Sequence, residues 1–141
     1  MKIDYPDLVY QFENGSIVKY KGKFNYINKQ GFMLIDEDFD IASPFINGFA
    51  CVVKNNKQSY LNKDFKLLGD RYFEFVYLKD DGSAMVYNNG KFNFYGSNWK
   101  LLSDEWFDFA YDFDESGKAR FVINEKCGYI DKLGNKTYDK E

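Results

Sequence analysis

Hydrophobic and polar residues recur along this chain with a period of about 34 positions. Each repeat carries a lysine followed three positions later by an aromatic residue. These pairs are Lys23 and Tyr26, Lys57 and Tyr60, Lys91 and Phe94, and Lys126 and Tyr129. A second series begins with phenylalanine and an acidic residue, at residues 39–42, 73–76 and 107–110. Independent series that share one period predict tandem structural units.

The spacing predicts a single domain, residues 1–141, made of four tandem units that each span roughly 34 residues. The units cover about residues 6–38, 39–72, 73–106 and 107–141. No segment rich in Pro, Gly or Ser separates them, so a continuous array is expected rather than domains joined by linkers.

Each unit carries the pattern of an antiparallel β-hairpin with a two-residue turn. The strongest signal is Asn89-Gly90, because Asn and Gly tolerate the positive φ angles of a type I′ turn. The corresponding dipeptides are Lys21-Gly22, Asn55-Asn56 and Asn124-Glu125. A short third strand is predicted at residues 32–35, 66–68, 100–102 and 135–138. Three short strands bury a face only against neighbours, so we expect an all-β array forming one curved sheet, a barrel or a propeller-like arrangement.

The unit resembles the WG (or KWG) repeat family, whose motif contains Lys-Trp-Gly-Tyr-Ile-Asp, two further residues and Gly. Residues 126–134 are most similar to it, residues 23–31 follow, and residues 47–52 resemble the first strand of the family's unit. The signature Trp is replaced at every copy, by Phe24, Gln58, Phe92 and Cys127, and the Gly that follows it remains only at Gly128. The resemblance is to a degenerate member. It implies a β-repeat fold and no enzymatic activity.

The composition agrees with strands rather than helices. Aromatic residues make up 21% of the chain, with 15 Phe and 12 Tyr, and aromatic side chains favour strands. The net charge of -3 provides no basic surface for nucleic acid. The N-terminal residues lack a signal-like apolar region and no stretch is long enough to span a membrane, so a cytoplasmic protein is expected. Abundant Lys, Asn and Phe favour a bacterial or phage origin.

No residue set predicts an active site, and no cofactor is expected. Histidine is absent, which removes the commonest general base, and no Gly-rich phosphate loop is present. Cys51 and Cys127 are expected to be reduced, partly buried thiols.

The recurring acids admit two interpretations. Asp7, Asp40, Glu74 and Asp108 hold equivalent positions and are candidates for a metal-binding ring in a closed array. Acids repeated at this spacing are also typical of side chains that cap turns, and this is the interpretation we favour, so no metal is expected.

The aromatic surplus supplies the candidate binding residues. Most rings are expected to fill the core, but two alternating clusters, residues 72–77 and 106–113, would place rings on both faces of a strand. We therefore predict an interaction surface that includes Phe24, Phe92, Trp99 and Trp106.

The sequence is compatible with three functions. We favour a non-catalytic protein–protein interaction module, such as a phage or mobile-element inhibitor of a host defence enzyme. The partner is then another protein. A protein that binds RNA or single-stranded nucleic acid by stacking bases on aromatic rings beside lysines is the second possibility. A hydrolase is the third.

Overall fold

The computed structural model describes residues 1–140, and their regular structure is β-strand apart from one three-residue 3-10 turn, Leu68–Asp70. The chain divides into two compact units, Met1–Tyr72 (the N-terminal unit) and Phe73–Glu141 (the C-terminal unit). The N-terminal unit contains β1 (Asp7–Phe12), β2 (Gly15–Tyr20), β3 (Lys23–Asn28), β4 (Ile41–Ala42), β5 (Ala50–Lys54) and β6 (Lys57–Leu61). The C-terminal unit contains β7 (Phe75–Leu78), β8 (Ala84–Asn88), β9 (Lys91–Tyr95), β10 (Phe109–Phe113), β11 (Lys118–Ile123), β12 (Lys126–Asp131) and β13 (Lys136–Tyr138). The all-β prediction is confirmed.

Hydrogen bonds group these strands into four separate antiparallel sheets. The N-terminal unit holds sheets β1-β2-β3 and β4-β5-β6, and the C-terminal unit holds β7-β8-β9 and β10-β11-β12-β13. The alternatives of one continuous curved sheet and of a closed barrel are therefore wrong for residues 1–140. Every sheet consists of strands that are consecutive in sequence. The connections between them are too short for a parallel crossover, so neighbouring strands are antiparallel.

The hairpin turns were predicted correctly. Both central residues of each of the four predicted turns have positive φ, for example Asn89 at 53° and Gly90 at 78°. The other three turns, Lys21-Gly22, Asn55-Asn56 and Asn124-Glu125, show the same pair of left-handed residues. Such turns match the right-handed twist of the strands they join.

The third strand is shorter than predicted. In three sheets it is reduced to one isolated bridge, between Ile27 and Met33, Leu61 and Leu67, and Tyr95 and Leu101. Only the last sheet has a full strand there, β13. The strand that opens each sheet, β1, β4, β7 or β10, is not one of the three strands predicted for each unit, although the aromatic clusters at residues 72–77 and 106–113 indicated strands at β7 and β10. These strands are short or half exposed, so their hydrophobic pattern resembles a loop with scattered aromatic residues.

Each unit has its own aromatic core. In the N-terminal unit Tyr26 and Phe39 are fully buried with Ile17 and Ala50, and the rings of Tyr26 and Phe39 meet edge to face at 5.9 Å. In the C-terminal unit Phe107 stacks on Phe121 at 4.5 Å. The repeated phenylalanine and alanine series are thus core positions within each sheet pair.

Gly128 lies where no side chain fits. A Cβ atom at Gly128 would lie 2.6 Å from the Thr137 carbonyl oxygen and 2.8 Å from the Phe121 ring. Gly128 therefore allows β13 and the buried Phe121 to approach β12 closely.

Candidate interaction surface

The recurring acids lie beside hairpin turns. In each of three sheets the acid at the start of the first strand accepts a hydrogen bond from the backbone N–H of the first turn residue. These bonds join Asp40 to Asn55 (2.8 Å), Glu74 to Asn89 (3.0 Å) and Asp108 to Asn124 (2.9 Å). A carboxylate here satisfies a donor that the hairpin itself leaves unpaired. This supports the turn-capping interpretation for Asp40, Glu74 and Asp108.

Two of these acids also meet the recurring lysines. Lys23 pairs with Asp40, and Lys91 pairs with Asp108 at the position 68 residues later. The hydrogen bond from the lysine is the main cause that lowers the pKa of each aspartate, and the turn N–H adds to it. These carboxylates are thus held ionised as structural groups.

Within residues 1–140 no group of three or more Asp, Glu or Cys side chains is placed to hold a metal ion. The proposed ring of Asp7, Asp40, Glu74 and Asp108 therefore has no support in the described residues.

Phe92 and Phe24 hold equivalent places in the two units. The backbones of Phe92 and Phe107 exchange two hydrogen bonds of 2.9 and 2.8 Å, and those of Phe24 and Phe39 exchange two of 2.8 and 2.9 Å. Phe39 and Phe107 are fully buried, whereas Phe24 and Phe92 are half-buried at the edge of the core. The two predicted site residues thus combine a packing role with an accessible ring face.

In the C-terminal unit Phe92 belongs to a connected row of four rings. Its centroid lies 4.8 Å from Tyr87 and 5.5 Å from Phe109, and Phe109 lies 4.9 Å from Tyr111. Phe109 is 43% exposed and Tyr111 60% exposed. We call Tyr87, Phe92, Phe109 and Tyr111 the aromatic row. Rings that touch one another are mutually braced, so they present a rigid apolar surface at low entropic cost.

The local strand pattern produces this row. Along β10, Phe109 and Tyr111 are exposed while Ala110 between them is buried against the core. Side chains two apart share one face of a strand, so both rings project from the same side. β7 repeats the arrangement with exposed Phe75 and Tyr77.

The equivalent place in the N-terminal unit is less aromatic. The Lys19 ammonium lies 5.5 Å from the Phe24 ring, and Ile41 is exposed where the other unit has Phe109. Phe24 therefore has a cation over its ring instead of a tyrosine beside it.

Trp99 has a structural role in its loop. Its backbone is left-handed, with a φ of 62°. The corresponding left-handed residues of two other loops are glycines, Gly31 and Gly134. The indole N–H donates a 2.7 Å hydrogen bond to the Gly82 carbonyl oxygen. This conformation is unfavourable for a bulky residue, and the indole contact helps to offset its cost. Trp106 is half-buried, and neither Trp belongs to the aromatic row.

Sequence reasoning missed three members of the row, Tyr87, Phe109 and Tyr111, as site residues. The alternating cluster at residues 106–113 contained the signal for two of them. No signal in the sequence marked Tyr87, because its position opposite Phe92 depends on the register between β8 and β9.

Both cysteines are free and partly buried. Burial is the main cause that raises the pKa of the Cys51 thiol, and it outweighs the opposing hydrogen bond with Tyr60. The thiol at Cys51 is therefore held in its protonated, unreactive form at neutral pH.

Comparisons with known proteins identify no family. No family model matches the chain, and no curated protein matches it significantly. Among solved structures it is similar to Hsv2 of Kluyveromyces lactis, at 12% identity and a TM-score of 0.38, over 89% of this chain and 47% of that one. A KlHsv2 with loop 6CD replaced by a Gly-Ser linker gives 13% identity and a TM-score of 0.40, over 100% of this chain and 56% of the other. A symmetrical protein from work on its de novo evolutionary emergence gives 20% identity and a TM-score of 0.34, over 86% and 71% of the two chains.

The chain thus spans about half the length of the Hsv2 structures it matches. Among residues 1–140 no helix is both long and apolar enough to cross a membrane.

Proposed function

We propose that this chain is a non-catalytic protein–protein interaction module that binds its partner through the aromatic row. The main support is the series of ring contacts that runs from Tyr87 through Phe92 and Phe109 to Tyr111, which is 60% exposed. Exposed, rigid aromatic rings are enriched at the energetic centres of protein interfaces. In its specific form, the module is a phage or mobile-element inhibitor of a host defence enzyme.

We also propose that the four sheets are tandem repeats of a degenerate WG type. The turn-capping acids, the lysine–aspartate pairs and the exchanged Phe–Phe backbone bonds recur at spacings of about 34 or 68 residues, and these recurrences support the assignment. Repeats place equivalent side chains in rows. Divergence at one equivalent position, such as Lys19 against Tyr87, then makes one copy the binding copy.

Binding to single-stranded nucleic acid is the alternative, because stacked rings also serve as platforms for bases. Lys91, which is adjacent in sequence to Phe92, is engaged by Asp108, and the chain carries a net charge of -3. Both observations favour a protein partner. A hydrolase is the third possibility, and no observed arrangement of side chains favours it.

The decisive experiment first identifies a partner by affinity capture and purifies it. The affinity of this single partner for the chain is then measured. Tyr111→Ala should weaken binding by at least about 2 kcal/mol, the size of an interface hot spot. Tyr5→Ala is the matched control, since Tyr5 is fully exposed in the other unit, and it should bind as the parent does. Equal loss in both variants, or loss in neither, would reject the aromatic row.

A second measurement separates the alternatives. Fluorescence anisotropy with a single-stranded oligonucleotide at two salt concentrations should show no binding. Binding that falls steeply with salt and is lost in Tyr111→Ala would favour the nucleic-acid function instead.

A further inference from the structure

The N-terminal unit contains a cavity of about 350 Å³ outside the aromatic row. Four rings, Tyr10, Phe12, Phe45 and Phe65, form much of its wall together with Leu34. Small-molecule sites usually begin at about 300 Å³ and combine an apolar lining with a few polar groups. The size and lining thus suit a small ligand.

The rings that form the wall are fixed by edge-to-face packing. Phe45 lies 6.4 Å from Phe12 and 5.4 Å from Phe65, and both Phe45 and Phe65 also pack on the buried Tyr26. Phe65 holds its place with a left-handed backbone, at a φ of 58°. This conformation is rare for a bulky residue, so the ring position is maintained at a cost in backbone energy.

The polar groups of the wall include one acid and one base. Glu13 and Lys63 both line the cavity and are exposed. Within residues 1–140 neither forms an ion pair or a side-chain hydrogen bond, unlike Lys23 with Asp40 or Lys54 with Glu37. The cavity therefore offers a carboxylate and an ammonium group that are both available to a ligand.

In the C-terminal unit, the ring that corresponds to Phe45 is contacted by lysine ammonium groups. Phe113 stands 68 positions after Phe45 and packs on Phe94, which stands 68 positions after Tyr26, so the two ring pairs correspond. The ammonium groups of Lys79 and Lys132 lie 5.6 and 6.0 Å from the centroid of Phe113. No ammonium group of residues 1–140 lies over Phe45. Lys79, which supplies one of these cations, stands 34 positions after Phe45.

We propose that this cavity binds a compact zwitterion of the betaine or amino-acid class, with its ammonium group against the rings and Glu13 and its carboxylate toward Lys63. Aromatic faces attract organic ammonium ions through their quadrupoles, and a nearby carboxylate adds to that attraction. A cation alone would be repelled by Lys63 and an anion alone by Glu13. A zwitterion complements both charges and leaves the cavity neutral overall.

The test uses glycine betaine with two probes that each lack one charge. Isothermal titration or ligand-observed NMR should detect glycine betaine, with choline, which lacks the carboxylate, binding about threefold to fivefold more weakly. The uncharged-head isostere 3,3-dimethylbutanoate should bind at least about threefold more weakly than glycine betaine. Equal binding of the isostere would show a purely apolar pocket and overturn the proposal, as would no binding of glycine betaine.

Two exposed variants assign the charges without disturbing the core. Lys63→Met should weaken glycine betaine but not choline, whereas Glu13→Gln should weaken both. Lys29→Met is the matched control, because Lys29 holds the equivalent turn position 34 residues earlier and does not line this cavity. Unchanged binding in Lys63→Met and Glu13→Gln, with melting temperatures equal to the parent, would place the ligand elsewhere and reject the site.

Discussion

Phe92 and Phe107 are joined by two backbone hydrogen bonds, yet their side chains lie in different environments: the Phe107 ring is fully buried, whereas Phe92 is only partly buried. The Phe107 ring stacks on Phe121 inside the core, and the Phe92 ring contacts Tyr87 and Phe109 in the aromatic row. One pair of adjacent backbones thus connects the core of the C-terminal unit to its candidate binding surface.

This difference predicts unequal costs of truncation. Phe107→Ala should lower the free energy of unfolding by about 3–5 kcal/mol, because it removes a fully buried ring from a close-packed core. Phe92→Ala should cost clearly less, since part of that ring is already in water. Urea denaturation of both variants measures the comparison. An equal cost would show that Phe92 is a core residue and would remove it from the binding surface.

The hairpin turns predict a substitution that stabilises the protein. Glu125 is a non-glycine residue with a φ of 66°, a conformation that costs a side-chain-bearing residue roughly 1 kcal/mol. Glu125→Gly should recover about that much stability. Gly90→Ala is the control and should lower the stability. No atom lies within 4 Å of a Cβ atom placed at Gly90, so a loss of stability there reports backbone strain alone. Melting temperatures that move in the same direction in both variants would contradict the type I′ geometry.

The loop that carries Trp99 predicts a specific loss from a conservative change. Trp99→Phe keeps an aromatic ring but removes the indole donor to the Gly82 carbonyl oxygen. We expect a cost of about 1 kcal/mol, the usual net value of one hydrogen bond. Chemical denaturation checks the value. Stability equal to that of the parent would show that water replaces the indole at this carbonyl.

The turn-capping aspartates predict a loss of stability in acid. The pKa values of Asp40 and Asp108 are lowered by their lysine partners and by the turn N–H groups. A lowered pKa in the folded state gives stability that is fully present above the unfolded value of about 3.9. That stability is lost as the pH falls from there through the folded pKa.

Asp40→Asn combined with Asp108→Asn should therefore flatten the decline of the melting temperature below about pH 4. Asparagine keeps an oxygen that can accept the turn N–H, so the change isolates the ionic contribution. Asp4→Asn, at an exposed site, serves as the control and should leave the decline unchanged. An unaltered acid profile in the double variant would show that other carboxylates govern the transition.

The two-residue turns were readable because they are local. A type I′ turn needs two residues with positive φ, so a dipeptide such as Asn89-Gly90 predicts the turn without information from distant parts of the chain. The recurrence of lysines and acids was likewise visible in the sequence. Its meaning was not, because Lys91 meets Asp108 only after the backbone segment at Phe107 pairs with β9.

By itself the sequence determined an all-β chain, its four hairpins and the positions of its repeated core residues, since strand alternation and turn chemistry act over a few residues. The tertiary structure decided which aromatic rings are buried and which remain accessible. Phe107 and Phe109 are two residues apart and chemically identical, yet one is fully buried and the other is 43% exposed. Exposure depends on what packs against each side chain, and those neighbours come from strands far away in sequence.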